Sequence, residues 1–158
     1  MKVGIVLGSR SQWCTMRYTA ELLAYLDISY EARIITANKS TKSLHEYASK
    51  AINSGLEIII AGSTKKIYLA GILASKTELP VVGIQMNTSS NKQTSLNTNS
   101  NNNNGNRIRM FNAGQEGAIN AALFVASMLA SKYPHIHEKL IKYHNQNDFY
   151  KTLQENFI

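Results

Sequence analysis

Cysteine is nearly missing from this sequence: Cys14 is the sole one in 158 residues. That excludes a disulfide framework and any four-cysteine metal site, and it suits a reducing compartment. Charge is scarce too, at 17% of residues, and Asn, Ser and Thr take up most of the difference. No apolar run approaches the ~20 residues that a bilayer requires. Residues 1–7 are apolar, yet they meet Gly8-Ser9-Arg10 too early to form the apolar region of a signal peptide. The expectation is a soluble cytoplasmic protein with no membrane partner. Acidic residues number 10 against 17 Lys and Arg, a formal net charge of +7. The basic residues are scattered and do not interleave with aromatics as in RNA-binding motifs. A solvated basic surface follows, with no nucleic-acid partner.

What is present is a globular composition, 44% hydrophobic. The length suits one domain over 1–158, with enough chain to bury a core. Residues 2–7 (KVGIVL) form a β-branched run without alternation, as in a strand buried on both faces. Met16, Ala20, Leu23 and Leu26 then recur at helical spacing, which predicts a helix over 12–27. Residues 30–36 (YEARIIT) read as a second strand. A second helix is expected over 41–54, with Leu44, Ala48, Ala51 and Ile52 on one face and Gly55 as its stop. Residues 57–61 (EIIIA) and 80–84 (PVVGI) complete four strands, with a short helix over 67–76 between them. Alternating strands and helices predict an α/β parallel sheet covered on both faces. Residues 115–132 are apolar nearly all round, which predicts a deeply buried helix or one at a subunit interface. A more polar helix over 134–157 follows, anchored by Ile136, Leu140, Ile141 and Leu153. Residues 87–106, with Asn101–Asn104 at their centre, lack apolar periodicity and read as a low-complexity surface loop.

In an open parallel sheet, ligands sit at the carboxyl ends of the strands. Three segments occupy such ends: 8–12, 36–41 and 62–71. In the first, Gly8 lets backbone approach a ligand, and Ser9 and Ser11 offer hydroxyls. The helix that follows points free N–H groups at the same place, an arrangement suited to phosphate. Ser11 is equally suited to capping that helix. Thr36 opens the second segment, where Lys39 is either a phosphate ligand or a solvated cation. The third holds Lys65, Lys66 and Tyr68, and its two lysines either help hold an anion or lie on the surface. The four histidines lack metal-ligand spacing. Cys14 is expected to be a buried, inert thiol.

These residues carry a resemblance. Gly8-Ser9-Arg10-Ser11-Gln12-Trp13-Cys14-Thr15-Met16 resembles the GSxSDxxxM opening of the PurE family, the carboxyaminoimidazole ribonucleotide mutases of purine biosynthesis. Ile59-Ile60-Ala61-Gly62 with Leu69-x-Gly71 is similar to that family's third strand and loop. Lys76-Thr77-x-x-Pro80-Val81-x-Gly83 is similar to its KTxxPVxGVP segment. Gly114-x-x-Gly117-Ala118-x-Asn120-Ala121-Ala122-Leu123 is similar to its GxxGAxNAALLA helix. The match is collinear over about residues 1–132. It implies a flavodoxin-like three-layer αβα sandwich that assembles as a homo-octamer, with active sites between subunits. It also implies transfer of a carboxyl group from the exocyclic nitrogen to a ring carbon of an imidazole ribonucleotide, without metal or organic cofactor. The implied substrate- and phosphate-binding positions are Gly8, Ser9, Ser11, Gln12, Thr36, Lys39 and Lys65.

The departures from the family pattern cluster at ligand-facing positions. The family's Ser-Asp pair is Ser11-Gln12, so an amide replaces a carboxylate. Its Ala-His-Arg triplet is Ala37-Asn38-Lys39, and its GGxAHLPG loop becomes Ser63 to Gly71, with Tyr68 at the second histidine position. Asn is no general base near neutral pH, and such groups typically supply ~10²–10⁴ in rate. The expectation is a PurE-like protein with lost or strongly reduced catalysis and no confident catalytic residue. Its ligand would be a phosphorylated small molecule. The alternatives are a working divergent mutase, or a pseudoenzyme scaffold or sensor for another phosphorylated ligand.

Overall fold

The computed structural model describes residues 1–36, 41–64, 68–86 and 108–146. Five strands form one parallel sheet: β1 (Val3–Leu7), β2 (Tyr30–Ile34), β3 (Ile58–Ser63), β4 (Val81–Gln85) and β5 (Ile108–Phe111). Their order is β2-β1-β3-β4-β5. The helices are α1 (Trp13–Tyr25), α2 (Thr41–Lys50), α3 (Leu69–Ala74), α4 (Gln115–Ala130) and α5 (Pro134–Gln146). A single 3₁₀ turn, Arg10–Gln12, leads into α1.

The sheet is the middle layer of three. Val3, Ile5, Leu7, Ile58, Ile60, Val82 and Ile84 point to the face covered by α1, α4 and α5. Val6, Ile59, Ala61 and Val81 point to the face covered by α2 and α3. Strand side chains alternate faces with period two. An apolar run without alternation, such as VGIVL or IIIAGS, therefore fills both layers, and every residue of β1 and β3 is buried. Each fully buried Ile or Leu contributes about 1.5–3 kcal/mol of hydrophobic stabilisation. Between α1 and α4 the buried Thr19 Oγ1 donates to the Ala118 carbonyl at 2.9 Å.

The α4 helix enters through a tight corner. Gly114 has φ +93°, and a Cβ at Gly117 would strike the backbone carbonyl of Asn112. Only glycine permits that approach. Ala118, Ile119, Ala121, Ala122, Val125, Ala126 and Leu129 are buried by α1, the sheet and α5 of the same chain, whereas Phe124 on the outer face is exposed. Burial within the chain is found for one face of this helix, and its outer face carries Phe124.

Several sequence expectations are corrected. A fifth strand, β5, was not expected; it is only four residues long and pairs on one side with β4. The second helix stops at Lys50, and turns carry the chain to Gly55 at φ +78°. Ile52 consequently leaves the buried face and is half exposed. In α5 Ile136 and Leu140 are buried as expected, but Tyr143 takes the place assigned to Ile141, which is exposed. The Asn-rich segment and the expected extension of α5 through Leu153 lie outside the described residues.

Candidate functional site

Strand order turns at β1: the chain steps from β1 outward to β2, then returns to the other side of β1 for β3. The crevice at the carboxyl ends of β1 and β3 is where open α/β sheets place ligands. Gly8 follows β1 there, and Gly62 and Ser63 end β3.

The segment after β1 is tied to itself. Ser9 is extended, and its hydroxyl lies 2.8 Å from that of Ser11. Neither serine makes a side-chain capping bond, so the expected alternative role of Ser11 as a helix cap is not used. The Gln12 N–H reaches the Ser9 carbonyl at 3.3 Å, and the Trp13 N–H bonds the Arg10 carbonyl. The 3₁₀ turn thus engages two of the donors that a helix N-terminus offers an anion. Arg10, exposed between the two serines, supplies a cation at this loop. Sequence reasoning passed over it, although it stands inside the quoted motif.

Gln12 reaches across the crevice. Its Oε1 accepts the Gly8 N–H at 2.8 Å. A Cβ at Gly62 would lie 2.9 Å from that same oxygen and 3.0 Å from Met86 Cε. The gap between the two strand ends is therefore occupied by an amide side chain and a methionine. The amide presents its Nε2 hydrogens as donors, where a carboxylate would present only acceptors.

On the β3 side, the buried Ser63 Oγ accepts the Ala70 N–H at 3.1 Å and so caps α3 from the strand end. This role is invisible in sequence because it joins residues across a loop. Tyr68 precedes α3 and is 39% exposed. Its ring packs on the Cα of Gly71, where any Cβ would strike it. Burial raises the Tyr68 phenol above its ordinary value, which makes it still less able to accept a proton at neutral pH. Cys14 is exposed, with its Sγ–H directed to the Ser11 carbonyl at 2.9 Å. The expected buried thiol is corrected: the inner face of α1 runs through Met16, Thr19, Ala20, Leu22 and Leu23, leaving position 14 outside.

The structure thus gathers Gly8, Ser9, Ser11 and Gln12 beside Gly62. Thr36 is exposed just past β2, one residue beyond the bond from the Ile35 N–H to the Leu7 carbonyl. Asn38, Lys39, Lys65 and Lys66 lie outside the described residues. A separate groove of about 420 Å³ opens between β2 and α2, and contains none of these positions. Among the described residues no helix is long and apolar enough to cross a membrane.

The AIR carboxylase family model matches residues 2–149. The N5-carboxyaminoimidazole ribonucleotide mutase of Pseudomonas aeruginosa is 38% identical over 139 residues, covering 87% of this chain and 85% of that protein. A protein of the same description from Pyrococcus abyssi is 38% identical over 143 residues, covering 90% and 81%. The bifunctional purine synthesis protein purC/E of Dictyostelium discoideum is 37% identical over 142 residues, 89% of this chain but 14% of that longer protein. In structure, Treponema denticola PurE superposes with a TM-score of 0.72 at 18% identity, covering 98% of this chain and 96% of that one. That likeness speaks to the fold, a flavodoxin-like α/β sandwich.

Proposed function

Because the chain belongs to the AIR carboxylase family, we propose that it binds a phosphorylated imidazole ribonucleotide at the β1/β3 crevice and turns it over poorly. Ser9, Ser11 and Arg10 are suited to the phosphate, with Thr36, Lys39 and Lys65 as further ligands. Gln12 faces the sugar as a donor. The reading needs no metal or organic cofactor, and it places the protein in the cytoplasm as a single PurE-like domain.

The observation that carries the reading is Gln12 folded onto Gly8. The position at which the family resemblance expects a carboxylate holds a neutral amide, already engaged with the backbone. Asn38 and Tyr68, at the two family histidine positions, provide no group that titrates near neutral pH. Exposed Trp13 at the start of α1 and Tyr68 at the start of α3 stand beside the site. They support a site completed by a neighbouring subunit in a homo-oligomer, an octamer by family resemblance.

A second reading is favoured by the 38% identity to a protein described as a mutase: a working enzyme that moves the proton with other groups. Calorimetric titration with carboxyaminoimidazole ribonucleotide tests the binding half of the proposal. The unchanged protein should bind. A Ser9→Ala/Ser11→Ala variant should bind ~100-fold more weakly or worse, since each of the two lost hydrogen bonds to a charged group contributes ~1.5–3 kcal/mol. No binding by the unchanged protein, or no change in the variant, contradicts the assignment.

A further inference from the structure

Among the described residues β2 lies at the sheet edge and pairs with β1 alone. Its bonds to β1 determine which backbone groups stay open. The Val3 N–H reaches the Ser29 carbonyl, and the Ile35 N–H reaches the Leu7 carbonyl. Along a strand, successive residues turn their N–H and C=O groups to opposite sides. Glu31 and Arg33, in step with Ser29 and Ile35, therefore turn toward β1. Tyr30, Ala32 and Ile34 turn theirs to the open edge.

The side chains of those three residues also share a face, because the period is two. Their register partners Val3, Ile5 and Leu7 are buried under α1, but the stripe on β2 is not covered. Tyr30 is 37% exposed, Ile34 is 48% exposed, and Ala32 is exposed as well. Glu31 and Arg33 stand on the opposite face, two residues apart and of opposite sign, with Arg33 Nε 3.6 Å from Glu31 Oε1.

We propose that β2 pairs antiparallel with β2 of a second copy of this chain, about a two-fold axis through Ala32. In that register Ala32 faces the second copy's Ala32 and Tyr30 faces its Ile34, so every open N–H and C=O of the three residues finds a partner. Glu31 faces the second copy's Arg33, on the same side of the joined sheet. The charges select the register. A slip in one direction sets Glu31 against Glu31, and a slip in the other sets Arg33 against Arg33. Like charges directly opposite are unfavourable, whereas opposite charges and apolar pairs are favourable. Charged residues on an edge usually guard it against pairing. Here the guard is self-complementary under a two-fold axis, the symmetry that closes a dimer. The interface is independent of the proposed ligand and goes beyond that reading.

Cross-linking tests the register in a Cys14→Ser background, which leaves no other thiol. A hydrogen-bonded antiparallel pair holds its Cα atoms ~5.5 Å apart, within disulfide reach. Ala32→Cys should therefore oxidise to a covalent dimer. Ile34→Cys should not, since its counterpart lies four residues away, ~13 Å along the strand. Failure of Ala32→Cys to cross-link, or equal cross-linking of Ile34→Cys, overturns the proposal. Ala32→Pro gives a second measure. It removes an N–H that β1 does not use, and proline is tolerated at such edge positions. With circular dichroism unchanged, its mass by sedimentation should fall to half that of the unchanged chain or less. An unchanged mass contradicts the interface, and leaves an oligomer built on other surfaces intact.

Discussion

The amide oxygen of Gln12 accepts the backbone N–H of Gly8 at 2.8 Å while standing over Gly62 of the neighbouring strand. One side chain thus joins the ends of β1 and β3, the two parallel strands between which the strand order reverses. The contact makes Gln12 and Gly62 energetically dependent on each other.

A double-mutant cycle measures that dependence. Gln12→Ala should lower stability in urea by ~1 kcal/mol, the usual worth of a hydrogen bond whose partner is partly buried. Gly62→Ala should cost a similar amount by pushing Oε1 off the Gly8 N–H. In the double variant the added methyl no longer meets Gln12, and only the flexible end of Met86 has to give. The two losses should fall short of additivity by ~0.5 kcal/mol or more, as neighbours in contact do. Strict additivity would mean that Gln12 does not occupy the crevice.

Gly117→Ala is expected to be the harsher glycine substitution. Its Cβ meets a backbone carbonyl, that of Asn112, which cannot move aside like a flexible side chain. Overpacking of this kind costs ~1–3 kcal/mol. Urea midpoints of the two alanine variants, compared at equal slope, check the ranking Gly117 above Gly62.

The acid limb of the stability curve should draw on two depressed carboxylates, Glu31 and, in a separate cluster with Tyr133, Lys132 and the N-terminus, Glu57, while Tyr47 beside Glu31 contributes to the alkaline limb. The Lys2 hydrogen bond, helped by Tyr47 and by the charges of Lys2 and Arg33 against a burial penalty, holds the Glu31 carboxyl below its ordinary range. A carboxylate depressed in the folded state contributes stability above its unfolded pKa, and loses it as pH falls through the folded value. Burial and Glu31 push the Tyr47 phenol well above its ordinary value. Its contribution is present below the ordinary tyrosine value and is lost as pH rises beyond it. Thermal midpoints across pH should therefore fall below the ordinary carboxylate range. Glu31→Gln should make that acid limb shallower, leaving the share of Glu57, and an unaltered limb would contradict the assignment.

The layers of the fold were legible because burial on both faces leaves a direct trace. Residues 2–7 and 57–61 have no polar alternation, and both became central strands. β5 left little trace, since four residues on an edge beside an Asn-rich segment carry no period. Helix ends were displaced where a local turn won: the 3₁₀ turn before α1 and the left-handed Gly55 after α2. At the candidate site, the position of Gly8, Ser9 and Ser11 at the carboxyl end of β1 was readable from the pattern of strand and break. The Gln12 contact to Gly8 and the Ser63 cap on α3 were not, because each depends on where a side chain turns after the backbone is placed.

Turnover of carboxyaminoimidazole ribonucleotide, measured beside the Pseudomonas aeruginosa relative at equal enzyme concentration and saturating ligand, tests the central claim most directly. Loss of general acid–base groups predicts a rate lower by ~10² or more, with ligand binding retained. Asn38→His alone should recover little of it, because Tyr68 and Gln12 remain in place. A rate equal to that of the relative would contradict the account and identify this chain as a working mutase that moves the proton by other groups.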